Sequence, residues 1–133
     1  MRKILRDVPV LVTGSTGKLG ILLRKAWSLA PPDGFIPVFQ GRETGEIRWR
    51  MLEEPYNGPA LKGGIVINFA GVTRGSPEAL QQNVTLAQVA CETARQQEAA
   101  HVFLLSSAAV YGSGKGASFG ESAECEPLSA YGE

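Results

Sequence analysis

Three glycines at positions 14, 17 and 20, set between an apolar run and a stripe of apolar residues at helical spacing, constrain this chain more than any other feature. The run Val8 to Thr13 (VPVLVT) is short, apolar and β-branched, which is how a strand covered on both faces of a parallel sheet reads. Beyond the glycines, Leu19, Ile21, Leu22, Leu23, Ala26, Trp27 and Leu29 recur at helical spacing until Pro31 and Pro32 stop them. A strand that becomes a helix within Gly14-Ser15-Thr16-Gly17-Lys18-Leu19-Gly20 needs residues without a Cβ, first for the tight turn and again where the helix packs closely on the strand. The first N–H groups of the helix have no partner inside it, and the partial positive charge there suits a bound anion such as a pyrophosphate. A P-loop is excluded, because only Ser15 and Thr16 separate Gly14 from Gly17 and Lys18 is followed by Leu19 rather than Ser or Thr.

The rest of the chain repeats the alternation. Phe35 to Gln40 (FIPVFQ) is the next strand, with Pro37 unable to donate to the ladder, and Glu46 to Arg50 (EIRWR) alternates like a short outer strand. Ile65 to Ala70 (IVINFA) is apolar and β-branched, Gly71 marks a turn, and Pro77 opens a helical segment reaching Ala100. His101 to Ser106 (HVFLLS) reads as a further buried strand, followed by a glycine-rich stretch from Gly112 to Gly120 and a Glu/Pro/Ser-containing tail. Strands alternating with helices predict an α/β doubly wound parallel sheet with helices on both faces and right-handed crossovers.

Composition narrows the partners. Thirteen basic residues balance 13 acidic ones, so no charge surplus points to nucleic acid or to an anionic membrane, and a small-molecule ligand is expected. Cys91, in a helical segment, and Cys125, in a loop, form neither a disulfide framework nor a metal-ligand set, and no metal is expected. With no signal-peptide pattern and no apolar run of membrane-spanning length, a soluble cytoplasmic protein is expected. His101, at the start of a strand, reads as a junction residue, Trp27 as helix packing and Trp49 as cover for the sheet edge. The sequon Asn83-Val84-Thr85 sits in a helix, where glycosylation is not expected.

The Gly-x-x-Gly-x-x-Gly spacing after Thr13 resembles the short-chain dehydrogenase/reductase pattern. Asn68-Phe69-Ala70-Gly71 is similar to the motif that extended members of the family carry after the fourth strand. Asn83-Val84 looks like their helix asparagine, and Phe103 to Gly112 (FLLSSAAVYG) is similar to the fifth-strand signature of sugar-nucleotide epimerases and dehydratases. The resemblance covers nearly the whole chain. It implies a Rossmann-type domain over residues 1–133, C-terminally incomplete, with the substrate domain absent from this chain. Gly14, Ser15, Thr16, Gly17, Lys18, Leu19 and Gly20 would hold the cofactor phosphates, Phe69, Ala70 and Gly71 its adenine and ribose side, and Asn83 its nicotinamide half.

The same resemblance makes Ser107 the hydroxyl that polarises the substrate oxygen and Tyr131 the proton carrier, with a lysine one helical turn later lowering the tyrosine pKa. That lysine would fall just past Glu133. A formal Tyr-x-x-x-Lys match at Tyr111 and Lys115 is set aside because Gly112 and Gly114 oppose the helix that would align them. The cofactor is NAD or NADP. Where an acidic residue would bind the adenosine ribose, this chain has Gln40-Gly41-Arg42, and Arg42 as partner of a 2′-phosphate favours NADP, although Glu43 lies close by.

The activity implied is that of an NAD(P)-dependent epimerase, dehydratase or reductase of a nucleotide sugar or similar hydroxyl/ketone substrate, with this chain inactive alone and a homodimer in the full-length parent. The alternative is a non-catalytic NAD(P)-binding module, a sensor, scaffold or truncated product. A flavodoxin-like or receiver domain is disfavoured, because the glycine loop stands where its acidic or FMN-loop residues would be. A chain that stops near Tyr131 is also expected to expose apolar surface.

Overall fold

The computed structural model describes residues 7–112, 120–129 and 131–133. The N-terminal charges Arg2, Lys3 and Arg6, and Lys115 with most of the glycine-rich stretch around it, lie outside the described residues. Five strands, β1 (Val8–Thr13), β2 (Phe35–Gly41), β3 (Ile47–Arg48), β4 (Ile65–Asn68) and β5 (His101–Leu104), form one sheet in the order β3-β2-β1-β4-β5. Every neighbouring pair is parallel. The chain moves outward from β1 to β2 and β3, then crosses back to lay β4 and β5 on the other side. The direction therefore reverses between β1 and β4, which leaves a crevice at the carboxyl ends of those strands, where ligands of doubly wound sheets bind. This is the Rossmann-type sheet expected from the sequence.

The two helices, α1 (Lys18–Leu29) and α2 (Pro77–Gln96), take opposite faces. Alternate residues of each strand point to opposite sides, so Leu11, Val38 and Val66 share one core with Leu86, Val89, Ala90 and Ala94 of α2. Val10, Val12 and Phe39 share the other with Leu23 and Trp27 of α1. Fully burying a Leu or Val contributes about 1.5–3 kcal/mol, so both layers stabilise the central strands. Pro37 is accommodated opposite Val10 because β3 pairs only with Gln40 and Gly41, leaving β2 an edge strand at the proline.

Four expectations are corrected. Trp49 does not merely cover an edge: it is 1% exposed, part of the α2-side core, with its indole N–H donating to Glu54 O and its ring edge-on to Tyr56. The apolar stripe of α1 is wider than its buried face, since Leu23 and Trp27 pack on the sheet while Ile21, Leu22 and Leu29 are exposed. α2 ends at Gln96 rather than Ala100, because Glu98 turns left-handed (φ 57°) and Ala99 N–H bonds back to Ala94 O. β5, expected to be buried, is exposed at all four positions: among the described residues its one strand partner is β4, and neither core cluster contains any of its residues.

The chain divides into two compact units, one comprising the described residues up to Gly71 together with Asn83–Leu105, the other Val72–Gln82 together with Ser106–Glu133. The first holds the whole sheet and both cores. In the second, Ser76 Oγ caps the first turn of α2 by accepting from Ala79 N–H, with Pro77 at the first helical position. Among the described residues, no helix is long and apolar enough to cross a membrane.

Candidate functional site

The glycine loop lies at the carboxyl end of β1, and its glycines do different things. Gly14 adopts φ 67°, and a Cβ there would meet Ala70 N at 2.4 Å, so both the turn and the close approach of the post-β4 segment require glycine. A Cβ at Gly20 would stand 2.4 Å from Ser15 Cα, which brings the first turn of α1 hard against the loop. Gly17 differs. It is exposed, and the only atom near an added Cβ is Gly14 O at 3.3 Å. Two glycines are closed by the protein itself and the middle one faces outward, which leaves bare backbone where a phosphate would approach.

The start of α1 is equally uncommitted. Gly17 is the N-cap and has no side chain to bond the first-turn N–H groups, and that turn carries no acidic residue. Thr16, Lys18 and Leu19 are exposed beside it, while Ser15 is buried with its hydroxyl donating to Gln40 O at 2.6 Å.

Gln40, which sequence spacing put at the cofactor ribose, is 3% exposed and spent on the protein. Its Oε1 accepts Gly14 N–H at 2.8 Å and its Nε2 donates to Trp49 O at 2.6 Å. Its side chain thus braces the loop from below. Arg42 is exposed and makes no ion pair among the described residues, whereas Glu43 is tied to Arg50 at 2.7 Å.

On the β4 side, Thr13 and Asn68 face each other in register, and the Thr13 hydroxyl donates to Asn68 Oδ1 at 2.6 Å with both residues buried. Losing one partner of such a buried bond costs about 1–3 kcal/mol. Sequence reasoning missed this tie as a site feature, although Thr13 directly precedes the first glycine and Asn68 opens the second motif. Phe69 N–H donates to Thr13 O at 3.1 Å, which swings Phe69, Ala70 and Gly71 over the loop. Asn83 of α2 stands against Gly71, its Oδ1 3.1 Å from where a Cβ would be. The loop, Gln40, the Phe69–Gly71 segment and Asn83 are therefore brought together around one crevice.

Ser107 and Tyr131 belong to the second unit. Ser107 caps a 3₁₀ turn, Ala108–Tyr111, its Oγ accepting Ala109 N–H at 3.1 Å. Gly132 packs against the same turn, with a Cβ there only 2.5 Å from Ala109 O. Ser129 starts a turn that includes Tyr131: its Oγ accepts Gly132 N–H and its carbonyl accepts Glu133 N–H, both at 3.1 Å. The unit thus draws the Tyr131 segment to the Ser107 turn, and Tyr131 itself is 37% exposed.

The profile of the NAD dependent epimerase/dehydratase family matches residues 60–133, more than half of the chain. The chain belongs to this family. Among solved structures it is similar to a UDP-galactose 4-epimerase, at 25% identity and TM-score 0.76, over 94% of this chain and 47% of that one. It is also similar to the ADP-L-glycero-D-manno-heptose-6-epimerase of Helicobacter pylori, at 20% identity and TM-score 0.72, over 99% of this chain and 49% of that one. A third likeness is to the UDP-glucuronic acid 4-epimerase of Bacillus cereus in complex with NAD, at 20% identity and TM-score 0.73, over 94% of this chain and 48% of that one. The chain thus spans less than half the length of these epimerases. Comparison with curated proteins gave no match. The family profile begins at residue 60 and does not include the glycine loop.

Proposed function

We propose that this chain is the cofactor-binding part of an NAD(P)-dependent epimerase, dehydratase or reductase acting on a nucleotide sugar or similar hydroxyl/ketone substrate. The observation that carries the reading is the contrast within the loop: Gly14 and Gly20 are closed by protein backbone, and Gly17 is left open beside an uncapped helix start. That cradle fits a dinucleotide pyrophosphate. The loop Gly14 to Gly20 lies against it and offers the first N–H groups of α1, those of Gly14, Ser15 and Gly17 being donated within the protein, while Phe69, Ala70 and Gly71 line the adenine and ribose side and Asn83 serves the nicotinamide half. The bound nicotinamide supplies hydride transfer. Ser107 polarises the substrate oxygen, Tyr131 moves its proton, and both act in the full-length parent, a cytoplasmic homodimer.

NADP is favoured over NAD. Gln40 carries no carboxylate for a ribose hydroxyl and has both ends of its amide engaged, Glu43 is held by Arg50, and Arg42 has no carboxylate partner among the described residues. A guanidinium so placed suits the 2′-phosphate. Calorimetric titration with NADPH and NADH tests this: Arg42→Ala is expected to weaken NADPH about tenfold, the loss of one charge-assisted contact of roughly 1.4 kcal/mol, and to leave NADH unchanged. Equal weakening of both cofactors contradicts the assignment.

A further inference from the structure

The start of the glycine loop hangs from one residue of the neighbouring strand. The carbonyl of Gln40 accepts Ser15 N–H at 3.0 Å and the Ser15 hydroxyl at 2.6 Å, and its side-chain Oε1 accepts Gly14 N–H at 2.8 Å. The other end of the amide, Nε2, donates to Trp49 O at 2.6 Å. Trp49 is fixed in turn, 1% exposed and with its backbone N–H donating to Gly41 O at 3.0 Å. The amide thus spans from a packed residue beyond β3 to Gly14, the residue at which the loop turns with φ 67°. Both of its ends are in use, and that use needs an amide. An ionised carboxylate of the same length only accepts, and it would set a buried charge against Trp49 O. A protonated carboxylic acid can do both, its O–H donating to Trp49 O and its C=O accepting Gly14 N–H. Turning the side chain outward to a ribose would strip Gly14 N–H and Trp49 O of their partner together, a costly exchange on the packed side of the loop.

We propose that Gln40 is a positioning residue: it sets the path of the glycine loop by holding Gly14, and it keeps that hold with a dinucleotide bound. Position 40 therefore acts on the pyrophosphate of either cofactor and reads neither form of the ribose. The proposal rests on the cofactor reading above and deepens it. It also reverses what spacing alone suggests for this position. An acidic residue placed here does not create an acceptor for ribose hydroxyls; it removes the donor that Trp49 O requires and loosens the loop for both cofactors alike.

The test titrates the whole chain calorimetrically with the acid-stable oxidised dinucleotides NADP⁺ and NAD⁺. Gln40→Met, of similar length and without a hydrogen-bonding end, weakens both about tenfold and leaves their ratio unchanged. Gln40→Glu does the same near neutral pH. Its affinities, relative to the unsubstituted chain at the same pH, recover as the pH falls towards about 5 and the new carboxyl takes up a proton. The charged residues on this side, Arg24 with Glu46, Glu43 with Arg50, and Arg42, are common to both chains, so the comparison isolates position 40. A carboxylate that bound the ribose would give the opposite sign, with NAD⁺ gaining on NADP⁺ in Gln40→Glu as pH rises. That result, or affinities unchanged in Gln40→Met, overturns the proposal while the cofactor site stands. Should neither variant fold, amide exchange in the unsubstituted chain decides: Gly14 N–H exchanges no faster when the chain is saturated with NADP⁺, and faster exchange, meaning that the side chain has let go, overturns the proposal. Binding of neither dinucleotide by the unsubstituted chain overturns the cofactor reading and this proposal together.

Discussion

β1 and β5 are written in similar residues and end in opposite environments. In β1, Val10, Leu11 and Val12 are 2%, 0% and 0% exposed; in β5, Val102, Phe103 and Leu104 are 37%, 57% and 47% exposed. The first has a strand on each side, with α2 packed over Leu11 and α1 over Val10 and Val12. Among the described residues, the second has one strand neighbour, and none of its residues joins either core cluster. Burial follows from what lies alongside a strand, and an apolar run states only what the strand is able to bury. The functional features follow the same division. The loop, its Gln40 brace and the Thr13–Asn68 tie all sit where β1 is enclosed, which fixes their geometry with packed side chains.

The contrast is most sharply tested by truncation on either side. Leu11→Ala should cost about 2–5 kcal/mol, as for other core leucines, whereas Leu104→Ala should cost under about 1 kcal/mol. Urea unfolding of the two variants measures the difference, and equal losses would mean that β5 is covered in solution. A smaller effect of the same origin is expected at the loop. Gly14→Ala forces a Cβ against Ala70 backbone at a positive φ and should destabilise by about 2–3 kcal/mol. A melting temperature unchanged from that of the unsubstituted chain would show that the loop does not pack on the post-β4 segment.

Much of this architecture was legible because it is local. The strand, the glycine turn and the helix start occupy contiguous residues, and each glycine's spacing already states a geometric need. The alternation of strands and helices likewise gave the parallel sheet and the two-faced core. What was not legible depends on residues far apart in sequence. The exposure of β5 reflects absent neighbours, which HVFLLS does not encode. Trp49 looked like edge cover because its burial depends on the segments around Leu61 and Ala90, which sequence spacing does not bring to it. Gln40 was placed at the ribose by its distance from the loop, and the structure turns its amide inward to Gly14 and Trp49. Ser107 was found through its motif, yet its present partner, Ala109 N–H, is that of a local cap.

The smallest expected effect concerns pH. Tyr56 packs edge-on to Trp49 with its hydroxyl donating to Pro59 O, and burial pushes its pKa up from 10.0 to about 12. A raised folded-state value means that this contribution to stability is complete below pH 10 and is lost as pH rises from 10 towards 12, because only the unfolded chain ionises readily in that window. Phenolate absorbance during alkaline titration should show one tyrosine ionising late, and Tyr56→Phe should remove that late step. Ionisation of Tyr56 at the ordinary tyrosine value of 10.0 would place it outside the packed side of the sheet.

The open glycine, Gly17, decides whether this crevice holds a dinucleotide. Titration of the purified chain with NADH and NADPH, repeated on Gly17→Glu, tests it most directly, because position 17 is exposed and an added Cβ there meets only Gly14 O, at 3.3 Å. The predicted result is saturable binding by the unsubstituted chain and none by the variant, with equal melting temperatures for the two. Undiminished binding by a folded Gly17→Glu chain would contradict the phosphate cradle and, with it, the assignment of this crevice as the cofactor site.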